Sequence, residues 1–172
     1  MIEGLIIREA ARSDLPALEW DGQFTHFRRL YAQAVRRAEE GEAVLWVAEL
    51  PSIGLIGQLF VQLESYRNEL ADGHTRAYIY SFRVRPIYQG AGIGTLLMQT
   101  AETDLRRRGY HSIILNVGRD NPSARRFYER FGYTIVGDEP GRWSYLDHKG
   151  HRRHVHEPSW RMEKELTPLS SQ

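Results

Sequence analysis

A chain of 172 residues is long enough to bury a core without help from metals or crosslinks, and 41% hydrophobic with 26% charged residues is an ordinary globular composition. The formal charge is only +1, from 23 Lys+Arg against 22 Asp+Glu, which argues against a domain built to neutralise a nucleic-acid backbone. The absence of cysteine excludes disulfides, thiolate metal ligands and a thiol nucleophile, so any chemistry comes from oxygen, nitrogen or a bound cofactor.

Mean hydropathy of -0.51 leaves no case for wholesale disorder, and no run approaches the eighteen or so apolar residues that a membrane span needs. Met1-Ile2-Glu3-Gly4 has neither the basic segment nor the apolar core of a signal peptide, so a cytoplasmic location is expected, with no membrane partner. The basic groups gather at Arg106-Arg107-Arg108 and Arg152-Arg153. The first cluster ends an expected helix, where cations complement the dipole, and the second lies near an expected turn, so no nucleic-acid partner is inferred.

In chain order, Leu5-Ile6-Ile7-Arg8 reads as a strand, and Ser13-Asp14-Leu15-Pro16 offers a cap and an early proline suited to a helix start. Phe27, Leu30, Tyr31, Ala34, Val35 and Ala38 recur at three- and four-residue steps and predict a helix from Thr25 to about Glu40, stopped by Gly41. Ala43 to Ala48 is too apolar for a strand buried on one face only. Pro51-Ser52-Ile53-Gly54 turns it into a second strand, Ile56 to Val61, and the two should pair as a hairpin. Ser65 to Arg76 reads as a polar surface loop before a strand at Ala77 to Val84.

After Pro86 comes a glycine-rich turn, then a helix face at Gly94, Met98, Ala101 and Leu105 that closes at Gly109. His111 to Val117 is the next strand. Ala124, Phe127, Tyr128 and Phe131 mark another helix closed by Gly132, and Tyr133 to Val136 returns as a strand. Trp143 to Leu146 and Ser159 to Met162 look like two further strands flanking a connection from Asp147 to Pro158. One domain spanning 1–166 is expected, with a frayed tail at 167–172 and no repeat or linker to divide the chain.

Gln89-Gly90-Ala91-Gly92-Ile93-Gly94-Thr95 is the most informative segment. Closely spaced glycines at a helix start let backbone amides converge on one concavity, where the positive end of the helix dipole favours a pyrophosphate. Dinucleotide folds want G-x-G-x-x-G, and nucleoside-triphosphate loops want a lysine followed by Ser or Thr; neither pattern is present. A plain strand-to-helix turn is the structural alternative, and such a turn rarely needs three glycines in five positions.

With Val84 to Gln89 before it, this run resembles the Q/R-x-x-G-x-G/A signature of the GNAT superfamily of N-acetyltransferases. Leu115-Asn116-Val117, Asn121, Ala124 and Phe127-Tyr128-Glu129-Arg130-Phe131-Gly132-Tyr133 are similar to that family's following strand and helix, in order and spacing. The resemblance is strong over residues 77 to 136. It implies a mixed α/β fold: a mostly antiparallel sheet of six or seven strands, splayed between the fourth and fifth, with about four helices.

It further implies acetyl-CoA as cosubstrate in that splay, its pantetheine arm along Phe82, Arg83 and Val84 and its pyrophosphate against Gln89, Gly90, Ala91, Gly92, Ile93, Gly94 and Thr95. Asn121 would touch the cofactor while capping its helix ahead of Pro122. Tyr128 would be the general acid that protonates the departing thiolate, although periodicity alone reads it as a core aromatic. An amide near Phe82 or Arg83 would serve the oxyanion, and a homodimer through the C-terminal strands is a family expectation.

The general base is where the sequence departs from the family. The stations that carry glutamate in many relatives hold Tyr80-Ser81 and Asn116 here. For a lysine-like amine of pKa about 10.4 the neutral fraction at pH 7 costs roughly 4.6 kcal/mol, against about 1 for an α-amine near 7.8, so a site without a base suits the weaker amine. Glu64, Glu139, His154, His156 or a water chain ending at Tyr80 remain alternatives, as does a CoA-binding sensor without turnover.

His148, His151, His154 and His156 match no closed ligand set, so no metal is expected. Trp20, Phe24, His26 and Phe27 fall where relatives place acceptor-binding helices, with helix packing the plainer explanation. The acceptor stays open among a protein N-terminus, a polyamine, an aminoglycoside-like compound and an amino-acid derivative.

Overall fold

The computed structural model describes residues 2–168. Nine strands and three α-helices are present among them. Strand β1 (Ile6–Glu9) leads through short 3-10 turns at Arg12–Asp14, Ala17–Glu19 and Thr25–Phe27 into α1 (Arg28–Glu39). The helix expected at Ser13 is therefore only turns. Asp14 receives a two-pronged ion pair from Arg8 at 2.8 Å and accepts the Ala11 amide at 2.7 Å, so its carboxylate ties the chain back to β1. The helix expected from Thr25 likewise begins at Arg28, one 3-10 turn later.

Strands β2 (Ala43–Leu50) and β3 (Gly54–Gln62) form the expected hairpin. β4 (Arg76–Val84) follows, then α2 (Ile93–Arg107), β5 (Ser112–Gly118), α3 (Pro122–Arg130) and β6 (Thr134–Glu139). The last strands are β7 (Arg142–Leu146), β8 (Arg152–His156) and β9 (Ser159–Glu165). The connection expected from Asp147 to Pro158 is thus partly a strand: β8 pairs antiparallel with β7 as a separate two-stranded hairpin. Asp147 closes its turn, accepting the Lys149 and His151 amides at 2.9 Å and the Arg153 guanidinium at 2.8 Å.

The main sheet runs β1-β2-β3-β4-β5-β9-β6. Every neighbouring pair is antiparallel except β4 and β5, and β9 inserts between β5 and β6. Leu45 and Val47 of β2 pack with α1, whereas Val44 and Ala48 join the cluster that holds α2 and, at its margin, α3. Both faces of the sheet are covered, which is why β2 and β3 read as nearly continuous apolar runs. Among the described residues no helix is long and apolar enough to cross a membrane. Of the tail, Thr167 still accepts Arg106 Nε at 3.1 Å, while residues 169–172 of the expected frayed segment lie outside the described residues.

α2 is locked to the sheet by one buried carboxylate. Glu102, 3% exposed, accepts the Tyr133 hydroxyl at 3.1 Å and the Lys164 ammonium of β9 at 2.8 Å. Because α2 carries the glycine turn at its start, this anchor also holds the candidate site. Replacing Glu102 with Leu strands an ammonium and a phenol against apolar surface and should cost about 2–4 kcal/mol. Urea unfolding monitored by tryptophan fluorescence should show the lower midpoint.

Candidate active site

β4 and β5 pair only over Arg76 to Ile79 against Ser112 to Leu115. Beyond that point β5 stays paired with β9 as far as Gly118, and β4 stays paired with β3 as far as Val84, but the two strands part from each other. The stretch Tyr80 to Val84 therefore presents a free edge to the gap, a feature otherwise costly inside a sheet.

A backbone irregularity marks the place. Ser81 is a non-glycine residue at φ +50, and the β3–β4 register shifts between Gln58 and Phe60. Gln58, 1% exposed, pins the bulge by donating to the Ser81 carbonyl at 3.2 Å and its hydroxyl at 2.9 Å. No sequence signal announces this bulge, since serine carries no preference for that conformation.

The glycine turn sits at the mouth of the gap. Gly90 and Gly92 both have φ +84, and a Cβ on either would meet nothing within 4 Å, so the turn opens onto free space. At Gly94 a Cβ would lie in ordinary contact with the Phe82 and Phe127 rings, at 3.6 and 3.7 Å. Gln89 is exposed, and its side chain donates to the Val84 carbonyl at 3.0 Å, tying the turn to the end of β4. Among the described residues, the six amides from Gly90 to Thr95 find no protein acceptor, the first nearby bond being Leu96 N–H to the Gly92 carbonyl. Unpaired N–H groups at a helix N-terminus are groups to which an anion can bind.

α3 forms the facing wall. Asn121 caps it, accepting the Ala124 amide at 3.1 Å with Pro122 at the first helical position, as the sequence indicates. Tyr128 packs 6.2 Å from Phe82 across the gap, 5.6 Å from Phe127 and 5.9 Å from Tyr133. Its hydroxyl has no hydrogen-bond partner among the described residues. Burial raises its pKa well above that of an ordinary phenol, and the Tyr78 phenol adds to the push.

Across the gap Asn116 donates to the Tyr78 hydroxyl at 3.3 Å and leaves its own carbonyl oxygen buried without a partner. Phe82, Gly94, Phe127 and Tyr128 thus pack together beside the parted strands, with Arg83 and Val84 on the free edge and Asn121 at the start of α3.

The candidate bases fare differently. Glu139, 8% exposed, is clamped by Arg67 at 2.8 Å and Arg161 at 2.6 Å. Burial pushes its pKa up, but the Gly141 amide and the two guanidinium groups outweigh that and hold it below the usual carboxylate range, a poor base. Glu64, His154 and His156 are exposed, the histidines on β8. Tyr80 is pushed up to about 12 by burial. Among the described residues no three His, Asp or Glu side chains are grouped as metal ligands.

The face opposite α3 is aromatic. Phe24, Phe27, Tyr31 and Tyr145 stand 5.2–6.0 Å apart in sequence of contact, joining the turns before α1 to the β7–β8 hairpin. Phe24 and Phe27, for which helix packing is the plainer expectation, thus join an aromatic cluster on the side of β4 opposite α3.

Residues 7–133 match the model of the acetyltransferase (GNAT) family. The chain belongs to that family. Its fold agrees: Ard1 from Thermoplasma volcanium superposes with a TM-score of 0.73 at 20% identity, covering 95% of this chain and 99% of that one. NAA60 from Arabidopsis thaliana, solved in complex with acetyl-CoA, gives 0.68 at 22% identity over 94% and 98%. N-alpha-acetyltransferase 30 of Schizosaccharomyces pombe is 31% identical over 86 residues, 49% of this chain and 57% of that relative. The chain thus matches little more than half the length of that curated relative.

The open space over Gly92 generates a direct test. Gly92→Asp places a carboxylate among the unpaired amides and strains a left-handed backbone, and should weaken acetyl-CoA binding by at least about tenfold beyond Gly92→Ala, which adds the strain alone. Titration calorimetry on both variants measures the difference.

Proposed function

We propose that this protein transfers an acetyl group from acetyl-CoA to a primary amine, in a ternary complex and by direct attack. The observation that carries the proposal is the row of six unpartnered amides from Gly90 to Thr95 at the mouth of the parted strands. Any helix start leaves its first amides unpaired, but here the glycines also keep the space over Gly90 and Gly92 open, as a diphosphate requires. The free edge of Tyr80 to Val84 suits the amide-bearing arm of the same cosubstrate, which can pair with it as an added strand would. Family membership and an acetyl-CoA complex of a similarly folded acetyltransferase point the same way.

In this reading the amine lone pair forms a C–N bond to the thioester carbonyl carbon and the C–S bond breaks. An amide N–H on β4 near Phe82 or Arg83 faces the charge developing on the carbonyl oxygen. The sulfur takes a proton from the Tyr128 hydroxyl, the attacking nitrogen releases one to water, and Tyr128 is restored from solvent. A raised phenol pKa keeps that acid loaded throughout the neutral range. With Glu139 clamped and Asn116 at the family's glutamate station, the amine loses its proton before or during attack without a dedicated carboxylate. That favours a weakly basic amine, an α-amine of a small molecule or a protein N-terminus, over a lysine-like one.

An amine panel read by release of free thiol tests the whole reading. Acetyl-CoA binding without release on any amine would instead identify a CoA-binding sensor. For a productive amine, Tyr128→Phe should lower kcat by roughly 10²-fold or more with KM for acetyl-CoA little changed, and unaltered kcat removes Tyr128 from the mechanism. Because burial raises the Tyr128 pKa, loss of its proton lies above about pH 10. The pH profile of kcat/KM should therefore rise as the amine deprotonates and show no falling limb below that pH.

A further inference from the structure

Arg83 is the strongest unexplained group near the gap. Its neighbour Phe82 points to α3 and Tyr128, whereas Arg83 points to the opposite face. There its guanidinium lies 3.9 Å above the Phe24 ring and 5.9 Å from that of Phe27. Nη2 donates to the Tyr31 hydroxyl at 3.0 Å and to the Ser81 hydroxyl at 2.6 Å. Nε is buried without a partner, and Nη1 makes no hydrogen bond among the described residues. No carboxylate of the described residues pairs with it, although Arg8, Arg12, Arg28, Arg37, Arg67 and Arg85 all have acidic partners.

A half-buried guanidinium held by neutral hydroxyls and a ring is an incomplete arrangement. Desolvation of a charge is recovered only by an opposite charge and by filling its donors, and this side chain keeps both needs open. The surroundings are cationic on balance: burial and the nearby Arg153, Arg83 and His148 lower the pKa of His26 beside it, against a smaller opposing pull from Asp147. The direction of approach agrees. Tyr128 lies on the α3 face, so with Tyr128 as the acid the attacking amine would come from the other face, the one Arg83 shares with the aromatic cluster.

We infer that Arg83 is a specificity-determining residue that binds the carboxylate of a small acceptor, making an amino-acid-like molecule, with primary amine and carboxylate close together, the substrate class of this site. This inference rests on the acetyl-transfer reading and narrows it. Its planar fork suits a carboxylate, while a cationic polyamine would bring like charge to like. The Phe24, Phe27 and Tyr145 rings would then take an apolar side chain of the acceptor.

The experiment compares α-amino acids with their matched carboxamides, both as acceptors by thiol release and as ligands by titration calorimetry on the protein saturated with CoA. The wild-type protein should favour the carboxylate by at least roughly tenfold, and Arg83→Gln should bring that ratio close to one while Arg83→Lys retains part of it. Equal use of acid and carboxamide by the wild-type protein overturns the inference, and needs no variant to fold. A preference that survives Arg83→Gln overturns it as well. Arg83-dependent carboxylate binding with no thiol release supports the inference and defeats the transferase reading. Turnover of amines regardless of a carboxylate does the reverse.

Discussion

Everything distinctive in this molecule depends on the point at which β4 leaves β5. Up to Ile79 the two are ordinary parallel neighbours, and from Tyr80 they are not. A sheet parts its strands only if each finds other partners, and here β3 holds β4 while β9 holds β5. The insertion of β9 between β5 and β6 is therefore more than topology. It supplies the hydrogen bonds that let β5 diverge without loss, and its Lys164 anchors α2 through Glu102. The gap, the glycine turn above it and the phenol beside it are held apart from below.

The bulge at Ser81 serves the same end on the other strand. One residue in a left-handed conformation re-aims the remainder of β4, so that Phe82 meets α3 while the Arg83 guanidinium folds back onto the Ser81 hydroxyl. Such a conformation is unfavourable for serine by roughly 1 kcal/mol or more, and the two hydrogen bonds from buried Gln58 offset it. Without the bulge the free edge would keep the flat alternation of a normal strand, and the cation would not turn back on itself.

What can be read from residues alone tracks how local each signal is. The turn from Gln89 to Thr95, the Asn121 cap and the face of α3 are set by neighbours a few positions apart, and the sequence displays them openly. The hairpin of β2 and β3 is equally local. Strand order is not: nothing in Ser159–Glu165 states that it will lie between β5 and β6, and β8 is hidden because its exposed His and Arg residues imitate a polar loop. The turns after β1 read as a helix because Ser13 and Pro16 are good helix starters in isolation, while the Arg8–Asp14 pair that ties the segment to β1 is a tertiary contact. Arg83 is legible only as a station on a strand edge. That its cation is half-buried with no carboxylate partner depends on Phe24 and Tyr31, more than fifty residues upstream.

The missing base and the unpaired cation bear on each other. A carboxylate close to an amine stabilises the ammonium form by opposite-charge attraction, and so raises the amine pKa and the cost of making it nucleophilic. A guanidinium that takes up that carboxylate removes most of the attraction and returns the amine toward the value of an α-amine whose carboxyl is blocked, near 7.8. At pH 7 the remaining cost is then about 1 kcal/mol, which water can meet without a catalytic glutamate. A glutamate at the Asn116 station would work against this, since its charge would hold the proton on the ammonium and compete for the same cation. On the acceptor proposed above, asparagine at 116 and arginine at 83 would work together: the acceptor would be activated by neutralising its own carboxylate instead of by placing a second one beside it.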